Sequence, residues 1–563
     1  MPPVFYILMA FDSKLKVLMC SEASFIKSGF GTYAKEILSR LHKTNKYTIA
    51  EFASYGFVND PRDKEIDWIY YANAVRDNDP RYKEYQSRGD NQFGRWRFEK
   101  VLLDFKPDVV IDVRDYWMTA YQLYSPLRKY FHWVLMPTVD SFPQQEEWID
   151  TFLNADAIFT YSDWGADVLK SQSSGKINYI DTTSPGVDLS IFNISNQDEA
   201  RKSMGISGDY LIIGSVMRNQ KRKLIPELFV VLRNTINFLK QQNNPISEKI
   251  RLYLHTSYPD AGWDIPELLK DYGLANKVFF TYFCKTCSDT HASVFQGPNK
   301  VCPKCLNNSC VLPSVTNGLS SEQLANVYNC FDLYVQYAIC EGFGMPQVEA
   351  GACGIPIATI GYSAMIDIIN KLKAFPIGVA SIFKELETKA LRVYPNNNDL
   401  IKTIIDFSEL SKEQVYDKRI LTRQLTEEHY NWDTIAHKWE QYLDQLNLTY
   451  RSDWSKPTAH LQNPPVTYSK SKDNNFDNAL NLCSNSLQDI SSIGSYHILD
   501  LIKTADYGFI QNGPSIVNAD IKNLMDHVDM FVTNNNKAEE VRLANINFDD
   551  DFIKYAKIKA AQK

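Results

Sequence analysis

Cys340-Glu341-Gly342-Phe343-Gly344-Met345-Pro346-Gln347-Val348-Glu349-Ala350-Gly351-Ala352-Cys353-Gly354-Ile355-Pro356 is the stretch on which the reading of this 563-residue chain turns. It sets two carboxylates, Glu341 and Glu349, on either side of a glycine-rich turn. The run before it, Asp332 to Tyr337, reads as a buried strand. The run after it reads as a helix, with Pro346 suited to the first turn because its missing N–H is not needed there. Strand, glycine turn and helix in that order aim free N–H groups and a positive dipole end at whatever lies over the glycines, and an anion is the natural guest. Glu349 falls about one turn inside the helix, where a carboxylate is poor company for phosphate but can accept hydrogen bonds from sugar hydroxyls.

A second unit of the same kind stands near the start. Lys16 to Cys20 reads as a buried strand, and Ser28-Gly29-Phe30-Gly31-Thr32 begins a helix with apolar Tyr33, Ile37, Leu38 and Leu41. Its glycines do not have the Gly-x-Gly-x-x-Gly spacing, which argues against a bound dinucleotide. Further strands are predicted at Tyr47–Phe52, Val109–Val113, Trp133–Pro137, Ala157–Tyr161, Leu211–Val216, Leu252–His255 and Val278–Thr281. Polar or helical segments separate them, which predicts an α/β fold with parallel sheets. Functional groups in such sheets gather at the carboxyl ends of the strands, and Asp112, Asp115 and Asp140 are the acidic candidates there. Arg218-Asn219-Gln220-Lys221-Arg222-Lys223 places four cations at the end of one predicted strand.

Composition narrows the function classes. The chain exceeds the roughly 250–300 residues at which single cores stop growing, so more than one domain is expected. The net charge of −7 gives no overall attraction to nucleic acid or anionic membrane. No run reaches the ~18 apolar residues of a membrane span, and no signal peptide is evident before Phe11. With ten cysteines in so long a chain, a disulfide scaffold is not indicated, and a reducing cytoplasm is the expected location.

Four of those cysteines are spaced for metal. Cys284-x-x-Cys287 and Cys302-x-x-Cys305 are two knuckles of the zinc-ribbon type. Four thiolates satisfy Zn²⁺ without an open position, so the predicted site is structural. His291 and Cys310 are alternative ligands with poorer spacing.

The pattern Glu-Gly-Phe-Gly-x-Pro-x-x-Glu-Ala-x-Ala-x-Gly-x-Pro at 341–356 resembles the signature of retaining glycosyltransferases of the GT-B fold, of the family 4, group 1 type. The glycine loop at Gly29 and Gly31, the sequence Gly186-Val187-Asp188 with Phe192, and the segment Glu428-His429-Tyr430-Asn431-Trp432 resemble the same family. The resemblance implies two Rossmann-like domains facing across a cleft. It also implies roles. Glu349 takes the donor ribose, and Glu341 with the backbone of Gly342, Phe343, Gly344 and Met345 holds the transferred sugar and distal phosphate. Arg218 and Lys223 grip the diphosphate, with Lys221 and Arg222 as bystanders or acceptor contacts. Gly29 and Gly31 approach donor phosphates and acceptor, and Asp140 faces the acceptor. The donor is a UDP- or GDP-sugar, the acceptor a glycan, a lipid or DNA, and no catalytic metal is expected. Front-face attack is the implied mechanism. Ser363 to Asp367 departs from the glycine-rich turn that the family usually has there.

The expected organisation is a leader at 1–13, an acceptor domain at 14–205 and a donor domain at 206–430 interrupted by the zinc insertion at 283–317. A crossover helix at 431–450, a linker at 451–475 and a helical extension at 476–563 complete it. Two rival readings fit parts of the chain. A DNA-base glycosyltransferase of bacteriophage type would use the zinc ribbon and basic loop. A non-catalytic binding protein built on the ribbon would leave Glu341, Glu349, Arg218 and Lys223 without a purpose.

Overall fold

The computed structural model describes residues 14–314, 317–386, 388–448, 453–454, 542–544, 546, 548 and 550–561. The predicted leader, most of the linker and the apolar positions Ile498 to Val528 of the extension lie outside the described residues. The described residues fall into two compact units: those of 14–135, 154–156 and 446–561 in one, and those of 136–153 and 157–445 in the other.

The first unit is built on β1 (Leu15–Glu22), flanked in parallel by β2 (Tyr47–Ser54) and β4 (Val109–Val113), with β3 (Ile69–Ala72) at the edge beyond β2. β5 (His132–Met136) follows in lateral order after β4. Val17 sits opposite both Ile49 and Val109. A strand paired on both sides and covered on both faces needs an unbroken apolar run rather than alternation, and Val17 to Ser21 are all buried. Helix α1 (Gly29–Lys43) turns Tyr33, Ile37, Leu38 and Leu41 inward, as its spacing predicts.

The edge strand is not bare. Helix Asp551–Ala561, at the far end of the sequence, packs on β3 and buries Phe552, Ile553 and Ala556. Phe552 lies 4.2 Å from the Arg97 guanidinium, which has Trp96 at 4.1 Å. Arg81 and Lys100 hold Asp550, just before the helix, and Lys559 donates to the Asp63 carbonyl at 2.8 Å. The unpaired edge of a sheet is thereby covered.

The second unit contains β6 (Ala157–Thr160) and β7 (Tyr179–Thr182), a parallel pair. Its main sheet uses β8 (Leu211–Val216), β9 (Ile250–His255), β10 (Val278–Cys284), β11 (Thr290–Val294), β12 (Asn299–Lys300), β13 (Cys310–Val311), β14 (Leu333–Gln336), β15 (Ile357–Ile360) and β16 (Phe375–Ile377). Hydrogen-bonded neighbours follow the path β12-β13-β10-β9-β8-β14-β15-β16, and β11 lines the other side of β10 from β9 and β13. β8, β9, β10, β14, β15 and β16 run parallel, while β11, β12 and β13 are antiparallel additions. One core joins Ile213, Leu252, Phe280, Val335 and Ile360 with Cys284, Cys302 and Cys310. A hairpin, β17 (Val379–Lys384) with β18 (Leu391–Pro395), stands apart from that sheet. Helix Trp432–Asp444 packs on β6, where Trp439 stacks on Phe159 at 4.1 Å. Gly186 is a glycine because a Cβ there would come within 2.7 Å of the Trp432 backbone nitrogen. Among the described residues no helix is long and apolar enough to cross a membrane.

Candidate functional site

The residues at 341–349 form the turn and helix that their sequence predicts. β14 delivers the chain to Glu341, and helix α2 (Met345–Ala352) begins after Gly344, whose φ of +87° only glycine adopts without strain. No side chain caps this helix; Pro346 brings no N–H to its first turn, and the Gln347 N–H is taken by the Gly344 carbonyl at 3.0 Å. Phe343 is buried against Tyr430, and Gln347 donates from its amide to the Phe343 carbonyl at 3.2 Å, which pins the turn from behind.

Glu341 is buried. It accepts from Lys223 Nζ, from Arg222 Nη1 at 3.1 Å and from Gln336 Nε2 at 2.6 Å, and its own N–H donates to Ser363 Oγ at 2.9 Å. The chain makes this possible by a short antiparallel bridge between Lys223 and Ala338, flanked by Ile339 N–H to the Arg222 carbonyl at 3.0 Å. Burial alone would raise the Glu341 carboxyl, but the two cations outweigh it and hold the carboxyl down at about 2. Burial lowers the Lys223 ammonium against the pull of Glu341. Two cations on one carboxylate leave the cluster with a surplus positive charge, which suits an anionic guest.

The other predicted site residues fall in three settings. Arg218 is half exposed and makes a two-pronged pair with Asp260, at 2.8 and 2.9 Å. This pairing lowers the Asp260 carboxyl strongly. Glu349 accepts from Tyr328 Oη at 2.7 Å through one oxygen, and burial raises its carboxyl. Asp140 lies beside the turn, receiving Arg392 Nη1 at 3.0 Å, Ser141 Oγ at 2.9 Å and Cys340 Sγ at 3.4 Å. Gly29 and Gly31 belong to the first unit. There Ser28 caps α1 by accepting from Gly31 N–H at 3.1 Å and donates to Glu22, and a Cβ on Gly31 would lie 2.3 Å from the Ile26 carbonyl oxygen.

Asp112 turns out to be a core counterion. It is fully buried and holds Arg114, Gln122 Nε2 at 2.9 Å and Trp133 Nε1 at 2.9 Å. Asp115 precedes the short helix Tyr116–Thr119. Sequence reasoning passed over Gln336, Tyr328, Asp260 and Arg392, because a single polar side chain in a strand or loop carries no spacing signal. Arg392, buried in β18 between Leu391 and Val393, is the one whose charge inside an apolar strand could have drawn notice.

The four cysteines come together. All four Sγ atoms lie within 4.8 Å of one another, with Cys284 to Cys305 at 3.6 Å and Cys287 to Cys302 at 3.7 Å. A tetrahedron with metal–sulfur bonds of about 2.3 Å has edges of about 3.8 Å, so the set fits a metal of zinc's size. The two knuckles repeat one geometry. Ser288 N–H donates to the Cys284 carbonyl at 2.9 Å and Leu306 N–H to that of Cys302 at 3.0 Å, and both residues have positive φ. Backbone N–H groups of Thr286 and Cys287 face the Cys284 sulfur, as those of Lys304 and Cys305 face Cys302. Such donors stabilise thiolates. His291 stacks on Tyr282 instead of joining the set.

Residues 312–419 match the family Glycosyl transferases group 1. That segment holds the turn, Glu341 and Glu349. A D-inositol 3-phosphate glycosyltransferase of Mycobacteroides abscessus is 26% identical over 207 residues, 36% of each chain. One of the same name from Mycolicibacterium smegmatis is 26% identical over 36% of this chain and 37% of its own. The aligned region thus spans little more than a third of these relatives' length. Among solved structures, a sucrose-phosphate synthase from Thermosynechococcus elongatus has a TM-score of 0.55 at 16% identity, covering 77% of this chain and 99% of its own. Anabaena HepE in complex with UDP-glucose has a TM-score of 0.53 at 12% identity, covering 77% of this chain and 100% of its own. The fold is GT-B.

Proposed function

We propose that this protein is a retaining glycosyltransferase that moves a sugar from a nucleoside diphosphate donor to an acceptor hydroxyl. The observation that carries the proposal is the Glu341–Lys223–Arg222 cluster beside an uncapped helix start, with Glu349 one turn inside. Anabaena HepE, whose fold this chain shares, binds UDP and UDP-glucose, which supports a uridine donor, and a GDP-sugar is the other donor class to test. In this reading the domain of residues 206–430 takes the donor and that of 14–205 the acceptor.

The roles follow from charge and geometry. Glu349 accepts hydrogen bonds from the ribose hydroxyls through the oxygen that Tyr328 does not occupy. Backbone N–H groups of Gly342 to Met345 and the carboxylate of Glu341 hold the sugar and the distal phosphate. As the bond from C1 to the phosphate oxygen breaks, its electron pair goes to the diphosphate, and Lys223, Arg222 and Arg218 neutralise the growing charge. Arg218 exchanges part of its pairing with Asp260 for the phosphates. The acceptor oxygen attacks C1 from the same face, and its proton passes to the departing phosphate oxygen. Asp140, oriented by Arg392, faces the acceptor. Cys284, Cys287, Cys302 and Cys305 hold a structural zinc ion, which takes no part in the reaction.

The deciding experiment is release of UDP or GDP from a panel of nucleotide sugars by the purified protein. Donor hydrolysis that falls in a Glu349→Ala variant supports the assignment, and full activity in both Glu349→Ala and Arg218→Ala sinks it.

A further inference from the structure

A fifth thiol stands beside the four-cysteine set. Cys310, in β13, lies opposite Cys284 of β10. Lys285 N–H donates to the Ser309 carbonyl at 3.0 Å, while Cys284 N–H turns the other way, to the Asp289 carbonyl at 2.9 Å. Cys284 and Cys310 are therefore a non-hydrogen-bonded pair of the antiparallel ladder. That is the closer kind, with Cα atoms about 4.5 Å apart and both side chains on one face. The Cys302 and Cys284 sulfurs lie within hydrogen-bonding reach of the Cys310 thiol. On its other flank Cys310 faces Lys300 of β12, whose ammonium is drawn to the Cys310 and Cys302 sulfurs.

These sulfurs have a buried side and a rim. Cys284, Cys302 and Cys310 are fully buried, whereas Cys287 and Cys305 are half-buried. In the tetrahedron of four sulfurs, Cys310 stands at the Cys284–Cys302 edge, and the opposite edge joins Cys287 to Cys305. Zinc can expand to five ligands. A sulfur entering at one edge draws the ion toward itself and away from the opposite edge, so the ligands it loosens are the two at the rim.

We infer that Cys310 is a fifth, exchangeable ligand of this metal centre, able to take the place of Cys305 or Cys287, which rests on the reading of the four cysteines as a metal site. A thiol must lose its proton to bind a metal. As the bond from Cys310 sulfur to the ion forms, the bond from Cys305 breaks, and the proton that Cys310 gives up is taken by the released Cys305 sulfur. Ligand number and charge are the same before and after. Three buried sulfurs then anchor the ion, and the rim carries a free thiol past which a soft divalent ion enters or leaves.

The test uses the full chain, with zinc content by atomic emission, affinity by competition with a chromophoric chelator, and cobalt(II) in place of zinc so that thiolate-to-cobalt absorption counts the bound sulfurs. Wild type, Cys310→Ala and Cys305→Ala are each expected to hold one ion with the absorption of four thiolates. The double variant Cys305→Ala with Cys310→Ala should fall to three, and its affinity should drop below that of Cys305→Ala by more than the roughly 10–100-fold that loss of an outer-shell partner costs. Cys287→Ala, alone and with Cys310→Ala, repeats the comparison at the other rim position, and circular dichroism shows which variants are folded. Three-thiolate absorption in folded Cys305→Ala and Cys287→Ala, or double variants that bind as tightly as the single ones, overturns the fifth ligand and leaves the four-cysteine site intact. A wild-type protein that takes up neither zinc nor cobalt overturns both.

Discussion

The two glycine loops, at 28–32 and at 341–345, share one grammar of strand, turn and helix and end in different chemistry. At the first, Ser28 caps the helix and a half-buried Glu22 lies alongside, so the helix start is satisfied from within and its neighbour is acidic. At the second, Gly344 supplies no cap, and the neighbouring carboxylate is outnumbered by Lys223 and Arg222. A glycine turn before a helix is therefore not an anion site by itself. The cap and the net charge around it decide.

The largest effect should come from removing the surplus charge at the second loop. Lys223→Ala is expected to lower donor turnover by on the order of 10²-fold or more, as loss of a group aimed at developing charge does. It should also destabilise the fold by roughly 3–5 kcal/mol, because Glu341 loses a buried partner. Turnover within a few-fold of wild type would place the diphosphate elsewhere.

Next comes acid. The Glu341 carboxyl sits at about 2 in the folded protein against an ordinary 4.5, so the folded state binds this proton more weakly than the unfolded state. Its stabilisation is complete above pH ~4.5 and is lost as pH falls through about 2, a swing on the order of 3 kcal/mol. Urea unfolding at pH 5 and pH 3 should show stability dropping, and Glu341→Gln should flatten that part of the profile.

A smaller effect separates the loops by conformation. Gly344→Ala forces a Cβ into left-handed backbone and should cost about 1–2 kcal/mol, with donor KM rising as the turn shifts. The smallest is at the first loop. Ser28→Ala removes a helix cap and should cost about 1 kcal/mol by thermal unfolding, with nucleotide affinity unchanged. If Ser28→Ala weakened nucleotide binding as much as Gly344→Ala, the contrast between the loops would fail.

Much of this was legible residue by residue. The apolar runs of β1, β4, β8 and β10 announce buried parallel strands, since a doubly covered strand needs no polar face. The cysteine knuckles declare their ligands because two short spacings fix four sulfurs. Arg222, by contrast, reads as a bystander or acceptor contact in a charge run, and it reaches Glu341 because the Lys223–Ala338 bridge brings distant segments side by side. Asp112 reads like Asp140, as an acid at the carboxyl end of a strand. One is sealed beneath Arg114 and Trp133 and the other lies beside the turn.

Sequence alone determined the α/β class, the position of both glycine turns, the pairing of Glu341 with Glu349 along one segment and the four thiols. These depend on local spacing, which the chain carries wherever it folds. Only the tertiary structure decided that Lys223 and Arg222 serve Glu341, that Arg218 rests on Asp260, that Arg392 reaches Asp140, and that β13 pairs with the carboxyl end of β10. Each is a contact between distant segments, set by strand order and register, and no spacing rule encodes those.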